Sequence, residues 1–395
     1  MLFNKERALK LMKEKGFDAI VATSIENVSY LSGFYAIPFR GIKKTQYYVV
    51  FSQHNIEKKP IIIPSMRLPG YIEGGFDISQ AYVYGKFPVA MTKIKTFSPL
   101  TELIRKGMEL DSQFKTPFEA LVTALKDLNL SSGTIALDEM HYTHQQWEKL
   151  EREFPNAKFI PGYDFIRKIR MVKTDEEIKR LKKSTHIIQR AILESFKIIQ
   201  LGTTERELVY KMQEIIGKYG ALPGIVGLTA GPRSALLLNE SDYQIKMNDQ
   251  IRYDVGCISD LYWSDMGRTV CLGKIGDKQK KAYHALKIGR QAAIESVKPG
   301  IKASDIYNIA ISEIRKAGLP HYERPHCGHG IGLEFYDPPN IRPDDHTVME
   351  EGMVFNIETP YYAVGLGGFQ LEDTMLVKKD GIELFSDLPM DIIII

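Results

Sequence analysis

The sequence predicts two domains of mixed helix and sheet: an α/β domain over residues 1–165, then an α+β domain over residues 166–395. Three observations carry that prediction. At 395 residues the chain is long for one domain and comfortable for two. Its first part alternates amphipathic helices with short apolar strands. Its later part holds β-rich runs that flank turns and are interrupted by acids.

The bulk numbers exclude several classes. A formal charge of +3 is near balance and points to neither nucleic acid nor a membrane surface. No apolar run approaches the roughly 20 residues of a spanning helix. The opening Met1 to Arg7 leads straight into a charged helix, without a signal-peptide core. Cys257, Cys271 and Cys327 are sparse and odd in number, which suits a reducing compartment, so a cytoplasmic location is expected.

In chain order, residues 4–15 read as a helix and Asp18 to Ala22 as a buried strand. A helix begins near Asn27 and ends near Gly33. Tyr47 to Phe51 and Ile61 to Ile63 read as strands, Phe114 to Leu128 as a helix, Thr134 to Leu137 as a strand and Tyr142 to Phe154 as a helix. His141 and His144, beside Gln145 and Gln146, read as solvated. The basic run before Thr174 reads as a solvated linker at the domain boundary. Thr174 and Glu177 form a capping box for a helix reaching about Gln200. Helices follow over Glu205 to Tyr219, Lys278 to Val297 and Ala303 to Ala317, and a strand over Gly224 to Leu228. The tail Ile392 to Ile395 reads as a final strand or a buried end.

The chemistry-bearing residues sit on the remaining strands. Asp254 and Asp265 flank the step Ser259-Asp260 at equal distance. A turn centred there pairs them directly across an antiparallel ladder, about 4.5–5.5 Å apart at Cβ. Two unpaired buried carboxylates cost several kcal/mol. Either a divalent cation lies between them or they are two solvated aspartates on a hairpin. Glu358 and Glu372 stand equally far from Gly365 and could oppose one another in the same way. His329 lies between Gly328 and Gly330, and glycines permit close backbone approach, which suits a ligating imidazole.

Together these motifs resemble the creatinase/prolidase/methionine aminopeptidase superfamily, the pita-bread metallohydrolases. They are Asp254-Val255-Gly256, Ser264-Asp265-Met266-Gly267-Arg268-Thr269, Gly328-His329-Gly330-Ile331-Gly332, Gly352 to Glu358, and Leu371-Glu372-Asp373-Thr374, with Asn27 to Phe34 in the first domain. The two-domain form resembles the Xaa-Pro dipeptidase and aminopeptidase P branch. The resemblance implies a pita-bread catalytic domain preceded by a creatinase-type N-terminal domain, and a homodimer acting on a small peptide. It implies that Asp254, Asp265, His329, Glu358 and Glu372 ligate two divalent ions, with a bridging hydroxide as nucleophile and Glu358 as proton carrier. Four carboxylates and one imidazole are a hard donor set, suited to Mn²⁺ or Co²⁺, with Zn²⁺ or Fe²⁺ compatible.

The pattern departs from the family at the substrate. Relatives carry histidines at the positions of Leu238 and Tyr336 and often arginine at that of Gln370. His326, Tyr336 and Gln370 are therefore the candidate substrate contacts, with His321 a further possible substitute. These departures keep open a hydrolase of a non-peptide C–N bond in a small metabolite, and a binding homologue without catalysis.

Overall fold

The computed structural model describes residues 2–34, 47–55, 59–65, 81–86, 90 and 114–395; the rest of the expected first domain lies outside the described residues. The chain forms two compact units that divide at Arg170/Met171.

The first unit contains α1 (Lys5–Lys15), β1 (Ala19–Ala22), α2 (Ile25–Ser32), β2 (Tyr48–Ser52), β3 (Ile61–Ile63), α3 (Pro117–Asp127), β4 (Thr134–Leu137), α4 (His144–Glu153), β5 (Lys158–Pro161) and α5 (Tyr163–Arg170). Its sheet runs β3-β2-β1-β4-β5, with β1, β4 and β5 parallel and β2 antiparallel to β1. All four residues of β1 are buried, as an apolar run covered on both faces requires. Asn4 caps α1 by accepting from the Arg7 N–H, and Gly16 ends it at φ 67°.

Strand β5 and helix α5 were not expected. The basic run is not a solvated linker: its first part is α5, which packs on β1 and β4 and carries the unit past residue 165. Arg170 is buried and donates to Asn27 Oδ1 at 2.8 Å. Lys173, also buried, stands 3.5 Å from Asp337 Oδ2. Both partners lie far away in sequence, so the local run gave no sign of them.

The second unit contains α6 (Asp175–Phe196), α7 (Glu205–Lys218), β6 (Leu222–Ala230), a 3₁₀ turn (Gly231–Ala235), β7 (Gln250–Ser259), β8 (Tyr262–Trp263), β9 (Met266–Cys271), α8 (Asp277–Ser296), α9 (Ala303–Lys316), β10 (His329–Gly330), β11 (Asp337–Asn340), β12 (Val354–Glu358), β13 (Tyr361–Ala363), β14 (Gly367–Phe369), β15 (Glu372–Lys378), β16 (Gly381–Leu384) and β17 (Ile393–Ile394). Its main sheet follows the path β11-β10-β12-β15-β9-β7-β6. The tail strand β17 joins β9 in parallel, Ile393 opposite Val270.

Two helix pairs cover this sheet. Ile188, Leu208 and Met212 of α6 and α7 bury Tyr253 and Val255 of β7. Leu286, Ile306 and Ile314 of α8 and α9 bury Phe355, Ile357 and Met375 of β12 and β15. Because side chains alternate along a strand, Asp254, Glu358 and Glu372 point to the face away from the helices.

The aspartate hairpin turns one residue later than expected. Ser259 pairs with Tyr262 and Asp254 with Gly267, so the turn is Asp260-Leu261, at φ 47° and 77°. Two successive positive φ values match the twist of a two-residue hairpin. Asp265 is thus displaced by two residues from direct opposition to Asp254, an even slip that keeps it on the same face. Glu358 and Glu372 do pair directly, about Gly365 at φ 88°.

Candidate metal centre

The strands β10, β12, β15, β9 and β7 are consecutive neighbours in the sheet, and each supplies or adjoins one of the five expected ligands. Glu358 faces Glu372, Glu372 faces Gly267, and Gly267 faces Asp254. Directly opposed residues share a face, so three carboxylates form one row across four strands. Glycine keeps the row open: a Cβ at position 267 would overlap the Gln370 side chain and lie 3.0 Å from Glu372 Cβ. Asp265 enters from the segment between β8 and β9, and His329 from β10.

Asp265, His329 and Glu372 offer ligand atoms that all lie within 4.8 Å of one another, and all three are buried. His329 Nε2 is 3.4 Å from Asp265 Oδ2. Its Nδ1 lies 2.9 Å from the Gly330 carbonyl; donation there leaves Nε2 free to ligate. Glu358 joins the trio through Gln370, whose Nε2 reaches Glu358 Oε2 at 3.3 Å and Glu372 Oε2 at 3.2 Å. Asn356 donates to Asp265 Oδ2 at 3.1 Å and accepts from Thr374 at 2.7 Å. On the opposite face Asp373 is held by Arg268 at 2.6 Å and Arg290 at 2.5 Å, which anchors β15 against the helices.

Electrostatics shows a centre short of positive charge. Burial, then the neighbouring Asp265, raises Asp254 to about 7. Burial and the charges of Asp265, Glu358 and Asp254 push Glu372 well above the carboxylate range. Burial also raises Asp265, against the pull of His329. For His329, burial favours the neutral ring, yet the contact with Asp265 prevails and raises it. The cations bordering these carboxylates are Arg252, 3.1 Å from Asp254, and Arg324, 3.7 Å from Glu358. Asp265 Oδ1 and Gln370 Oε1 are buried without hydrogen-bond partners. Clustered carboxylates, an imidazole whose Nε2 points at Asp265 and an orphaned carboxylate oxygen fit divalent metal.

The expected substrate contacts are distributed differently. Tyr336 stacks on His329, ring centroids 3.9 Å apart, and is 46% exposed, so it stands at the mouth of the centre. His326 Nδ1 lies 3.2 Å from Glu358 Oε1 without hydrogen-bond geometry, and burial lowers its pKa toward the neutral form. Gln370 is engaged with two acids. Leu238 is 38% exposed in a run with Leu236 and Leu237, and His321 is exposed. The reading of the sequence missed Asn356, Thr374 and Arg252. Each is two residues from an expected ligand, so strand periodicity already marked them.

Residues 179–379 match Metallopeptidase family M24, and residues 5–172 match the Creatinase/Prolidase N-terminal domain. A Xaa-Pro dipeptidase of Lactobacillus helveticus is 33% identical over 296 residues, which cover 72% of this chain and 78% of that protein. The crystal structure of a prolidase from Pyrococcus horikoshii is similar at a TM-score of 0.73 and 25% identity, over 98% of this chain and 99% of that one. An X-Pro aminopeptidase from Thermotoga maritima is similar over the whole of both chains, at a TM-score of 0.74 and 25% identity.

Proposed function

Because the chain belongs to Metallopeptidase family M24, we propose that it is a Xaa-Pro dipeptidase, cleaving the peptide bond before proline. The observation that carries this reading is the row of acids, Glu358 and Glu372 buried and Asp254 partly so, with His329 beside it. Asp254, Asp265, His329, Glu358 and Glu372 would hold two divalent ions, Mn²⁺ or Co²⁺ by preference. Bound there, the ions supply Lewis-acid polarisation of the scissile carbonyl and a more acidic water.

The chain's own groups handle the proton and the alignment. Glu358 Oε2 is fixed by Gln370, so Oε1 is the atom that takes the proton of the attacking water and gives it to the proline nitrogen. His326, driven toward neutrality, faces that oxygen without locking it. Gln370 sets the spacing of Glu358 and Glu372. Tyr336 covers His329 at the mouth of the centre.

No helix among the described residues is long and apolar enough to cross a membrane. Three buried free cysteines support a cytoplasmic location, and family resemblance supports a homodimer. The test is proline release from Ala-Pro by the metal-loaded protein, beside longer Xaa-Pro peptides. Leu238 and the engaged Gln370 favour a second reading, hydrolysis of a non-peptide C–N bond. Full metal binding with no Xaa-Pro turnover is the result that selects it.

A further inference from the structure

Arg324 lies in the loop that leads to His329 and touches the acid cluster without being satisfied by it. The carboxylate oxygen beside it is Glu358 Oε2, at 3.7 Å, beyond hydrogen-bond reach. Gln370 already occupies that oxygen. Arg324 Nε is buried with no hydrogen-bond partner. The guanidinium covers the Tyr362 ring at 5.5 Å, and Arg252 approaches the same ring at 5.2 Å. A cation at this distance from an aromatic face is attracted by the ring before any ligand arrives.

The two arginines differ in what they have left to offer. Arg252 donates to Asp254 at 3.1 Å and reaches Thr229 Oγ1 at 3.4 Å, with a side chain only 2% exposed. Arg324 is 17% exposed and keeps an open edge beside Glu358. A purely neutralising role predicts tight engagement, as Arg268 and Arg290 show on Asp373 at 2.6 and 2.5 Å. Arg324 lacks it. A planar, partly open guanidinium matches a carboxylate, which it can grip with two parallel N–H donors.

We propose that Arg324 is a specificity-determining residue that reads a carboxylate on the substrate; this rests on the peptidase reading above. The carboxylate is either the free C-terminus of the dipeptide or an acidic side chain. A group held by Arg324 lies next to Glu358, so its recognition also places the scissile bond.

The test uses the metal-loaded full chain, as wild type, R324M and R324K, with two substrate pairs. Ala-Pro and Ala-prolinamide differ at the terminus; Glu-prolinamide and Gln-prolinamide differ in the side chain. The acid-to-amide ratio of kcat/KM is taken within each preparation, so misfolded protein cancels. The expected result is a fall of at least about tenfold in the first ratio for R324M, carried by KM, with R324K intermediate. A fall in the second ratio alone assigns Arg324 to an acidic side chain. If neither ratio moves while the wild type turns over Ala-Pro, the Arg324 proposal is overturned and the peptidase reading stands. A wild type that cleaves none of the four defeats the peptidase reading instead. Calorimetric binding of L-proline against L-prolinamide then decides: a preference for the acid that R324M removes upholds Arg324, and equal or absent binding overturns it.

Discussion

The two oxygens of Glu358 have different neighbours, Gln370 on Oε2 and His326 near Oε1, an asymmetry that suits the residue to the proposed roles of ligand and proton carrier. Glu358→Gln keeps the shape and removes the titratable oxygen. It is expected to lower kcat for Ala-Pro by about 10²–10⁴-fold while the protein still unfolds cooperatively; retained turnover removes the proton role. Gly267 acts by what it omits. Gly267→Ala drives a methyl into Gln370 and toward Glu372, and is expected to cost about 1–3 kcal/mol of stability, read as a lower urea midpoint. At this scale the sequence was informative where chemistry is local. Glycines beside His329 and acids within strand runs were visible. The engagement of Gln370 with Glu358 was hidden, because it depends on the register that brings β12 against β15.

Register is the element-scale device. The Glu358–Glu372 pairing followed from equal spacing about Gly365, a residue free to take positive φ. The aspartate hairpin slipped because Leu261 adopts φ 77°, a conformation its side chain disfavours and the sequence does not advertise. The basic segment was misread for a related reason: the burial of Arg170 and Lys173 is fixed by Asn27 and Asp337, on distant elements. Strand β15 is pinned from behind by Asp373 between two buried arginines. Asp373→Ala leaves both without their carboxylate and is expected to cost about 3–5 kcal/mol, measured by urea unfolding. The row of acids also sets a pH dependence. Native Asp254 holds its proton up to about 7, whereas an unfolded aspartate releases it near 3.9. Between those values the native metal-stripped protein binds more protons than the unfolded chain, so Asp254 lowers stability as pH rises through that window. Glu372 acts in the same direction. Urea unfolding of these residues' neutral variants, Asp254→Asn and Glu372→Gln, is expected to show a smaller loss between pH 5 and 8 than the wild type; equal losses contradict it. Metal binding reverses the trend, since the ligands must be deprotonated, and its affinity falls as pH falls.

For the whole molecule, the two units divide the work. The five expected ligands lie in the second unit, residues 171–395, and the first supplies none of them. Metal that binds the folded second unit stabilises it by about 2.7 kcal/mol at a hundredfold excess over Kd. Calorimetry is expected to show Mn²⁺ or Co²⁺ raising the transition of that unit; a transition indifferent to both ions contradicts the centre. The alternation of helix and strand made the two-domain order legible early, while the path of the second sheet came from pairings between residues over a hundred positions apart, such as Glu372 with Gly267. The most direct measurement is proline release from Ala-Pro by the chelator-stripped chain as Mn²⁺ or Co²⁺ is added back. Release that is absent at the start and saturates near two ions per chain is the predicted result. Release that survives stripping, or none at any metal concentration, contradicts the account.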